Sequence, residues 1–188
     1  LLRSKINSFT ERLLMPSNPL LGPSLQESTV VKNSIDTLVR EAQKISSQIT
    51  TVQEPKAGQQ SVSEEYIAKI NSLRGRPLFY PYVGTGLGRG PYVELQDGSV
   101  KLDLINGIGI HIMGHSHPEV IAASLRGALA DVVMQGHLQA NMEYLKLSEK
   151  LVQLASRHSR LRYAWLTTGG PMAKENALKN VRQKNTPA

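Results

Sequence analysis

Residues 90–120 read GPYVELQDGSVKLDLINGIGIHIMGHSHPEV and contain the clearest structural signals in the chain. Residues 92–95 and 100–104 alternate like two strands, and Asp97-Gly98 between them indicates a tight hairpin turn, because glycine accepts the positive φ that such a turn requires. Three more glycines follow, and Pro118 then suits the first position of a helix whose start the acidic Glu119 also favours. The stretch therefore predicts a hairpin, a glycine-rich loop and a helix that begins at Pro118.

The residues before this stretch predict two helices. Apolar residues recur at helical spacing from Ser28 to Val52, with charged residues between them. Residues 55–60 have the composition of a linker, and Ser61 and Glu64 have the spacing of a capping box for a short second helix. We expect Gly75 and Pro77 to end it. Its predicted buried residues are Ile67, Ile70 and Leu73.

The residues after Pro118 predict two amphipathic helices, a strand and a further helix. Asn141 is a candidate N-cap for the second helix, residues 162–166 have the composition of a strand, and Pro171 follows a glycine turn and suits a helix start. Tyr163 and Trp165 would then belong to the sheet core. The predicted buried residues of the two amphipathic helices are Val120, Ile121, Leu125, Ala128, Leu129 and Val132, and Tyr144, Leu147, Leu151, Val152 and Leu154.

A strand, a glycine turn and a helix N-terminus together form a possible anion site. Glycines let the backbone approach a phosphate, and the amides of the first helical turn point towards it. Residues 162–182 have this pattern, without the ending of a P-loop or the glycine spacing of a dinucleotide fold. The alternative is that Gly169 and Gly170 serve only close packing between strand and helix.

Composition narrows the class of protein. The chain has 188 residues, a formal net charge of +7 and no cysteine. Its basic residues are mixed with acidic ones, so we expect no nucleic-acid partner. It has no apolar run long enough to span a membrane and no secretory signal at its start, and we expect a cytoplasmic protein without a membrane partner.

Several polar residues invite a metal or acid–base interpretation. His111, His115 and His117 lie close together in the sequence, but their spacing is a poor metal motif, and we expect polar roles at a helix start and no metal. Asp97 and Asp103 are expected to be a turn residue and a solvated or capping carboxylate. Glu175 is expected to be structural.

Four motifs in order resemble the class-III, pyridoxal-phosphate (PLP)-dependent aminotransferases of the ornithine, acetylornithine and GABA aminotransferase type. The first two are the hairpin 90–104, which ends Leu102-Asp103-Leu104, and the Gly114-His115-Ser116-His117-Pro118 segment. The last two are the helix residues 147–152, LSEKLV, and residues 168–179, TGGPMAKENALK. The resemblance covers roughly residues 83–184. It implies an α/β chain of PLP-dependent transferase fold type I, comprising the N-terminal segment and the start of the large domain.

The resemblance also implies a set of site residues. The cofactor phosphate would be bound at Gly169, Gly170, Pro171 and Met172, and Ile108 and Gly109 would form part of the substrate wall. This chain departs from the family at three positions. Family members usually have Ser in place of Gly169, Thr or Ser in place of Pro171, and Asn in place of Lys174. Because Pro171 has no N–H, the amides of Met172 and Ala173 would be left to bind the anion.

The implied function is transfer of an amino group from an amino acid or amine to a 2-oxo acid, in a homodimer. No catalytic residue is expected in this chain, since the resemblance puts the Schiff-base lysine beyond Ala188; the chain alone is therefore expected to be inactive. An aminomutase of the same fold, and a non-catalytic relative or basic binding protein, remain alternatives. The predicted divisions are a mainly helical extension (1–82), a small-domain-like part (83–160) and the start of the large PLP-binding domain (161–188).

Overall fold

The predicted hairpin supplies the last two strands of a three-stranded antiparallel sheet. In a computed structural model, which describes residues 20–130 and 140–185, the strands are β1 (Gly84–Arg89), β2 (Tyr92–Leu95) and β3 (Val100–Leu102), in that order. Gly98 has a φ of 77°, which confirms the reason for a glycine in the turn. β1 was not predicted, because its alternate glycines hide the pattern of a strand.

The buried residues collect where the sheet meets the segment before it. Ile35, Ile49, Leu95 and Val100 retain between 2% and 7% of their exposed surface, and Ser99 retains none. The carboxylate of Asp97 accepts hydrogen bonds from the amide and hydroxyl of Ser99, which confirms Asp97 as a turn residue. The core of the described residues is thus small and draws on both the sheet and the helical segment before it.

Within residues 20–83, three helices precede the sheet: α1 (Leu21–Glu27), α2 (Thr29–Ser46) and α3 (Gln60–Arg74). The helix predicted from Ser28 to Val52 is present as α2, but its extension to Val52 is wrong, since α2 ends at Ser46. The capping-box prediction is also wrong, because the helix has already begun at Gln60 and no side chain caps it. Gly75 ends α3 at a φ of 69°, as predicted.

The segment before residue 80 is joined to the sheet by backbone hydrogen bonds. Gln53 and Val100 exchange both amide–carbonyl bonds, at 3.0 and 3.1 Å, so Gln53 extends the sheet beyond β3. The amide of Lys56 donates to the carbonyl of Asp97 over 2.9 Å. This front segment is therefore part of the same compact unit as the sheet, which comprises residues 1–130.

The helix predicted at Pro118 is present as α4 (Pro118–Ala128), and α2 packs against it. None of its residues is fully buried, and Val120 is 51% exposed. The predicted burial of this apolar face is therefore wrong within the described residues, where α2 is the main partner helix and covers only part of it. Val132 lies outside the described residues.

Residues 131–188 form a second compact unit. It contains α5 (Met142–Ala155) and α6 (Gly170–Asn185), and the side chain of Asn141 accepts the amide of Tyr144 at the start of α5, as predicted. The predicted burial along α5 is wrong, since none of its residues is fully buried.

The strand predicted at 162–166 is absent, and residues 161–167 have no regular secondary structure. A strand needs a neighbour to pair with, and the described residues pair none with this segment. Tyr163 and Trp165 are 95% and 66% exposed, so they do not form the predicted sheet core.

Candidate functional site

The glycine-rich loop after β3 has an unusual backbone. Asn106, Ile108 and Ser116 all have φ between 53° and 57°, a left-handed conformation that costs most for a β-branched residue such as Ile108. Gly107, Gly109 and Gly114 share the positive sign of φ. Such a run persists only when the structure around it holds the chain in place.

Asp103 supplies part of that support at the start of the loop. One of its carboxylate oxygens accepts the amides of Ile105 and Asn106, each at 2.9 Å. Its other oxygen lies 2.8 Å from Nε2 of His115, and both side chains are only 15% exposed. The expected capping role of Asp103 is confirmed, while its pairing with His115 was not foreseen.

The hairpin brings Asp103 and His115 together through its own backbone. The carbonyl of Pro91 accepts the amide of Asp103 at 2.8 Å, and Gly90 exchanges two backbone hydrogen bonds with His115. A β-carbon on Gly88 would lie 2.8 Å from Cβ of His115, so glycine is the residue that leaves room for this approach. The residues that meet are twelve apart in the sequence, and only the glycines hint at their contact.

The electrostatics of this pair are those of a structural contact. The hydrogen bond from His115, followed by the amide of Asn106, lowers the pKa of the Asp103 carboxyl below its ordinary value. The ring of His111 stacks on that of His115 with centroids 4.1 Å apart. Within residues 20–130 and 140–185, no group of three or more His, Cys, Asp or Glu side chains is arranged to hold a metal ion.

The two predicted substrate-wall residues lie at the outer side of this loop. Ile108 is 93% exposed, and a β-carbon on Gly109 would meet no atom within 4 Å. Leu104, Ile110 and Ile112 are also more than 75% exposed. The loop thus presents an apolar surface formed by Leu104, Ile108, Ile110 and Ile112, which we call the loop surface.

The predicted phosphate residues lie in the other unit, at the start of α6. The helix begins at Gly170 rather than Pro171, and the amide of Ala173 donates to the carbonyl of Gly169 over 3.0 Å. The expectation that Ala173 is free to bind an anion is therefore wrong. Among the residues that the structure describes, no acceptor is bonded to the backbone amides of Gly170 and Met172.

The surroundings of these two amides suit an anion. A β-carbon on Gly170 would meet no atom within 4 Å, and neither Gly169 nor Gly170 has a positive φ. The first turn of α6 carries no acidic side chain. Glu175 lies further along the helix and pairs with Lys179 at 2.8 Å, which lowers the pKa of Glu175. The start of α6 therefore offers two unpaired amides, open space and the positive end of a helix dipole.

Across the described residues, no helix combines the length and the apolar character needed to cross a membrane.

Comparison with known proteins gives a family match and partial matches to curated relatives. The family model for class-III aminotransferases matches residues 80–187. Acetylornithine aminotransferase of Methanocaldococcus jannaschii is 33% identical over 96 residues, 51% of this chain and 23% of that protein. Acetylornithine aminotransferase of Mycobacterium tuberculosis is 32% identical over 102 residues, 54% of this chain and 25% of that protein.

A third relative has a different reaction in its name. Glutamate-1-semialdehyde 2,1-aminomutase of Symbiobacterium thermophilum is 33% identical over 95 residues, 50% of this chain and 20% of that protein. The chain thus spans about a quarter or less of the length of these relatives. No solved structure matches the chain significantly.

The matched region begins just before β1 and includes the sheet, the loop with its Asp103–His115 pair, and the start of α6. It covers more than half of the chain and agrees with the resemblance drawn from the four sequence motifs. The chain belongs to the class-III aminotransferase family.

Proposed function

We propose that the protein is a PLP-dependent aminotransferase that moves an amino group from an amino acid or amine to a 2-oxo acid. The observation that carries this proposal is the match of residues 80–187 to the class-III family. Fold type I, with residues 161–188 as the start of the large domain and residues 1–82 and 83–160 as the two preceding parts, belongs to the same proposal.

The start of α6 supports this proposal through its free amides and open space. The amides of Gly170 and Met172 are available as donors, and the space beside Gly170 is open. Hydrogen bonds to a charged acceptor are stronger than those between neutral groups, and the helix dipole adds to them. We therefore assign the phosphate contact to Gly169, Gly170, Pro171 and Met172, with the amides of Gly170 and Met172 as donors and Pro171 as the residue that fixes the turn.

PLP supplies an electron sink for the bond that breaks at the amino-bearing carbon of the substrate. The residues of this chain would bind and orient. The start of α6 would hold the phosphate in one position, and Ile108 and Gly109 would form part of the substrate wall. Such orientation contributes to catalysis, because holding the reacting groups in the correct geometry lowers the entropic cost of reaching the transition state.

An aminomutase is the second candidate, favoured by the similarity to the Symbiobacterium relative. Such an enzyme moves the amino group within one molecule, whereas an aminotransferase moves it between two. The two reactions differ in whether labelled nitrogen from a donor appears in a separate acceptor.

We further propose a homodimer that works in the cytoplasm. The exposed side chains of the loop surface support a partner, since apolar patches of this kind mark association sites more often than free surface. The absence of cysteine is in keeping with a reducing compartment.

The test is nitrogen transfer by the purified whole protein with added PLP. ¹⁵N-labelled amino donors, including N-acetylornithine, are incubated with 2-oxo acids, and the label is followed by mass spectrometry. We expect label in the acceptor and a requirement for PLP. Label that stays in the donor skeleton but changes carbon would identify the aminomutase, and no movement of label in either form would contradict both.

A further inference from the structure

We propose that Asp103 and His115 act together as positioning residues for the loop that carries Ile108 and Gly109, an inference that rests on the proposed role of this loop in the substrate wall. Neither side chain would touch the substrate. Their task would be to hold Ile108 and Gly109 in the one backbone conformation that shapes the wall.

The loop needs such support because its own contacts are few. Asn106 and Ile108 hold left-handed conformations that non-glycine residues avoid, and Ile108 is 93% exposed, so its side chain gains little from packing. Within the loop, the amide of Ile108 reaches the carbonyl of Ile105 at 2.9 Å, and that of His111 reaches Asn106 at 3.2 Å. These bonds define the turn but do not fix it to the rest of the molecule.

The Asp103–His115 pair makes that connection at both ends of the loop. Asp103 lies before the loop and accepts the amides of Ile105 and Asn106, while His115 lies at its far end. Both residues are bonded through their backbones to Gly90-Pro91 of the hairpin. The side-chain contact at 2.8 Å therefore closes residues 104–114 into a ring anchored on the sheet.

A carboxylate suits this position because it must accept three hydrogen bonds at once. Two come from the amides of Ile105 and Asn106 and one from Nε2 of His115. Each carboxylate oxygen has two lone pairs, so all three can be accepted with good geometry. Asparagine has one oxygen for the two backbone amides, and its NH2 group can only donate to the ring. His115 would then have to adopt the tautomer in which Nε2 is an acceptor.

The far end of the loop has a second tether that is independent of this pair. The side-chain amide of Gln43 in α2 donates to the carbonyl of Ser116 over 2.5 Å, next to His115. Ser116 also has a left-handed φ, of 54°. Loss of Asp103 should therefore loosen the loop from its start and leave the segment at Ser116 held.

The experiment compares Asp103→Ala with Asp97→Ala in the whole protein with PLP. Asp97 is a matched control, since it also accepts an amide and a second donor, both from Ser99, but in the hairpin turn and not in the loop. Hydrogen exchange measures the order of residues 104–113, and steady-state kinetics separate KM for the amino donor from kcat. His115→Gln serves as the gentler variant if Asp103→Ala does not fold.

Asp103→Ala should speed exchange at residues 104–113 and raise KM by about tenfold or more while kcat and PLP affinity change little, because the loss of even one to two such bonds is worth roughly a factor of ten. His115→Gln should raise KM by about threefold, and Asp97→Ala should leave KM and loop exchange at the wild-type level.

Unchanged loop exchange in Asp103→Ala, or in His115→Gln if Asp103→Ala does not fold, would overturn the positioning role. Faster exchange with an unchanged KM would overturn it as well, with the aminotransferase intact. A wild-type protein that transfers no nitrogen would instead contradict the proposed function, and loop exchange in the variants would still decide whether the pair positions the loop.

Discussion

Gly114 lies directly against Gly90, so that a β-carbon on Gly114 would stand 2.9 Å from Cα of Gly90. The pairing of Gly90 with His115 depends on this close approach, because the two residues exchange their backbone hydrogen bonds beside it. At this point the backbones of the hairpin and of the loop meet directly, with no side chain between them.

Gly114→Ala should destabilise the protein by about 1–3 kcal/mol, since the residue must keep a φ of 85° and its new methyl group would press on the backbone of Gly90. Chemical unfolding measures the loss. Gly127→Ala is the control, because that position is helical and open, and it should be neutral or slightly stabilising. Equal midpoints for Gly114→Ala and wild type would show that the close approach is not needed.

Gly170→Val should weaken the binding of PLP by about a hundredfold while it changes the melting temperature little. A β-carbon at position 170 would meet no atom within 4 Å, and the backbone there requires no positive φ, so the free protein should tolerate the substitution. The side chain would instead occupy the space of the anion and disturb two charge-assisted bonds, each contributing on the order of 1.5–3 kcal/mol.

Fluorescence titration with PLP, alongside thermal unfolding, tests this prediction, and Gly127→Val, a helical glycine in the other unit, is the control. If Gly170→Val bound PLP normally but melted early, the glycine would serve packing, as the alternative interpretation of the sequence holds.

Acid should remove part of the stability that Asp103 contributes. The hydrogen bond from His115 lowers the pKa of the Asp103 carboxyl in the folded state. A group with a lowered pKa stabilises the fold above its ordinary pKa of about 4 and loses that contribution as the pH falls through the folded value. Urea unfolding at pH 7 and at pH 2–3 should show a difference in stability between wild type and Asp103→Asn that narrows in acid; a difference that widens would argue against an ionised Asp103 carboxyl in this contact.

Asn141→Ala should cost about 1 kcal/mol through loss of the cap on α5, where the side chain accepts the amide of Tyr144 at 2.9 Å. Asn141→Asp, which keeps the acceptor, should recover most of the loss. Thermal unfolding of the three proteins gives the order, and a similar loss in both variants would mean that the side-chain amide group matters more than the acceptor.

Local chemistry made much of this fold predictable. The turn at Asp97-Gly98, the end of α3 at Gly75 and the cap at Asn141 each depend on a few neighbouring residues, and the structure confirms them. The order of the four motifs also predicts the family to which the chain belongs. These signals lie within a few residues of one another, where spacing alone carries the information.

Predictions that need a distant partner did not succeed. The segment 162–166 has strand composition but no neighbouring strand among the described residues, and Val120 has apolar character without a surface to cover it. Asp103 and His115 were each assigned a plausible local role, and only the folded hairpin brings them to 2.8 Å. The wrong prediction for the Ala173 amide is instead a local one, because α6 begins one residue earlier than predicted and this amide donates to the carbonyl of Gly169.

The bridge between Gln53 and Val100 bears on where this chain can be divided. The family match begins at residue 80, yet both backbone groups of Val100 are paired with Gln53, and Val100 is only 2% exposed. A piece that starts at residue 80 would keep every family motif and still present β3 as a bare sheet edge. Bare edges recruit other chains, so such a piece should precipitate or form mixed oligomers, and the segment outside the family match covers the β3 edge of the sheet at Val100.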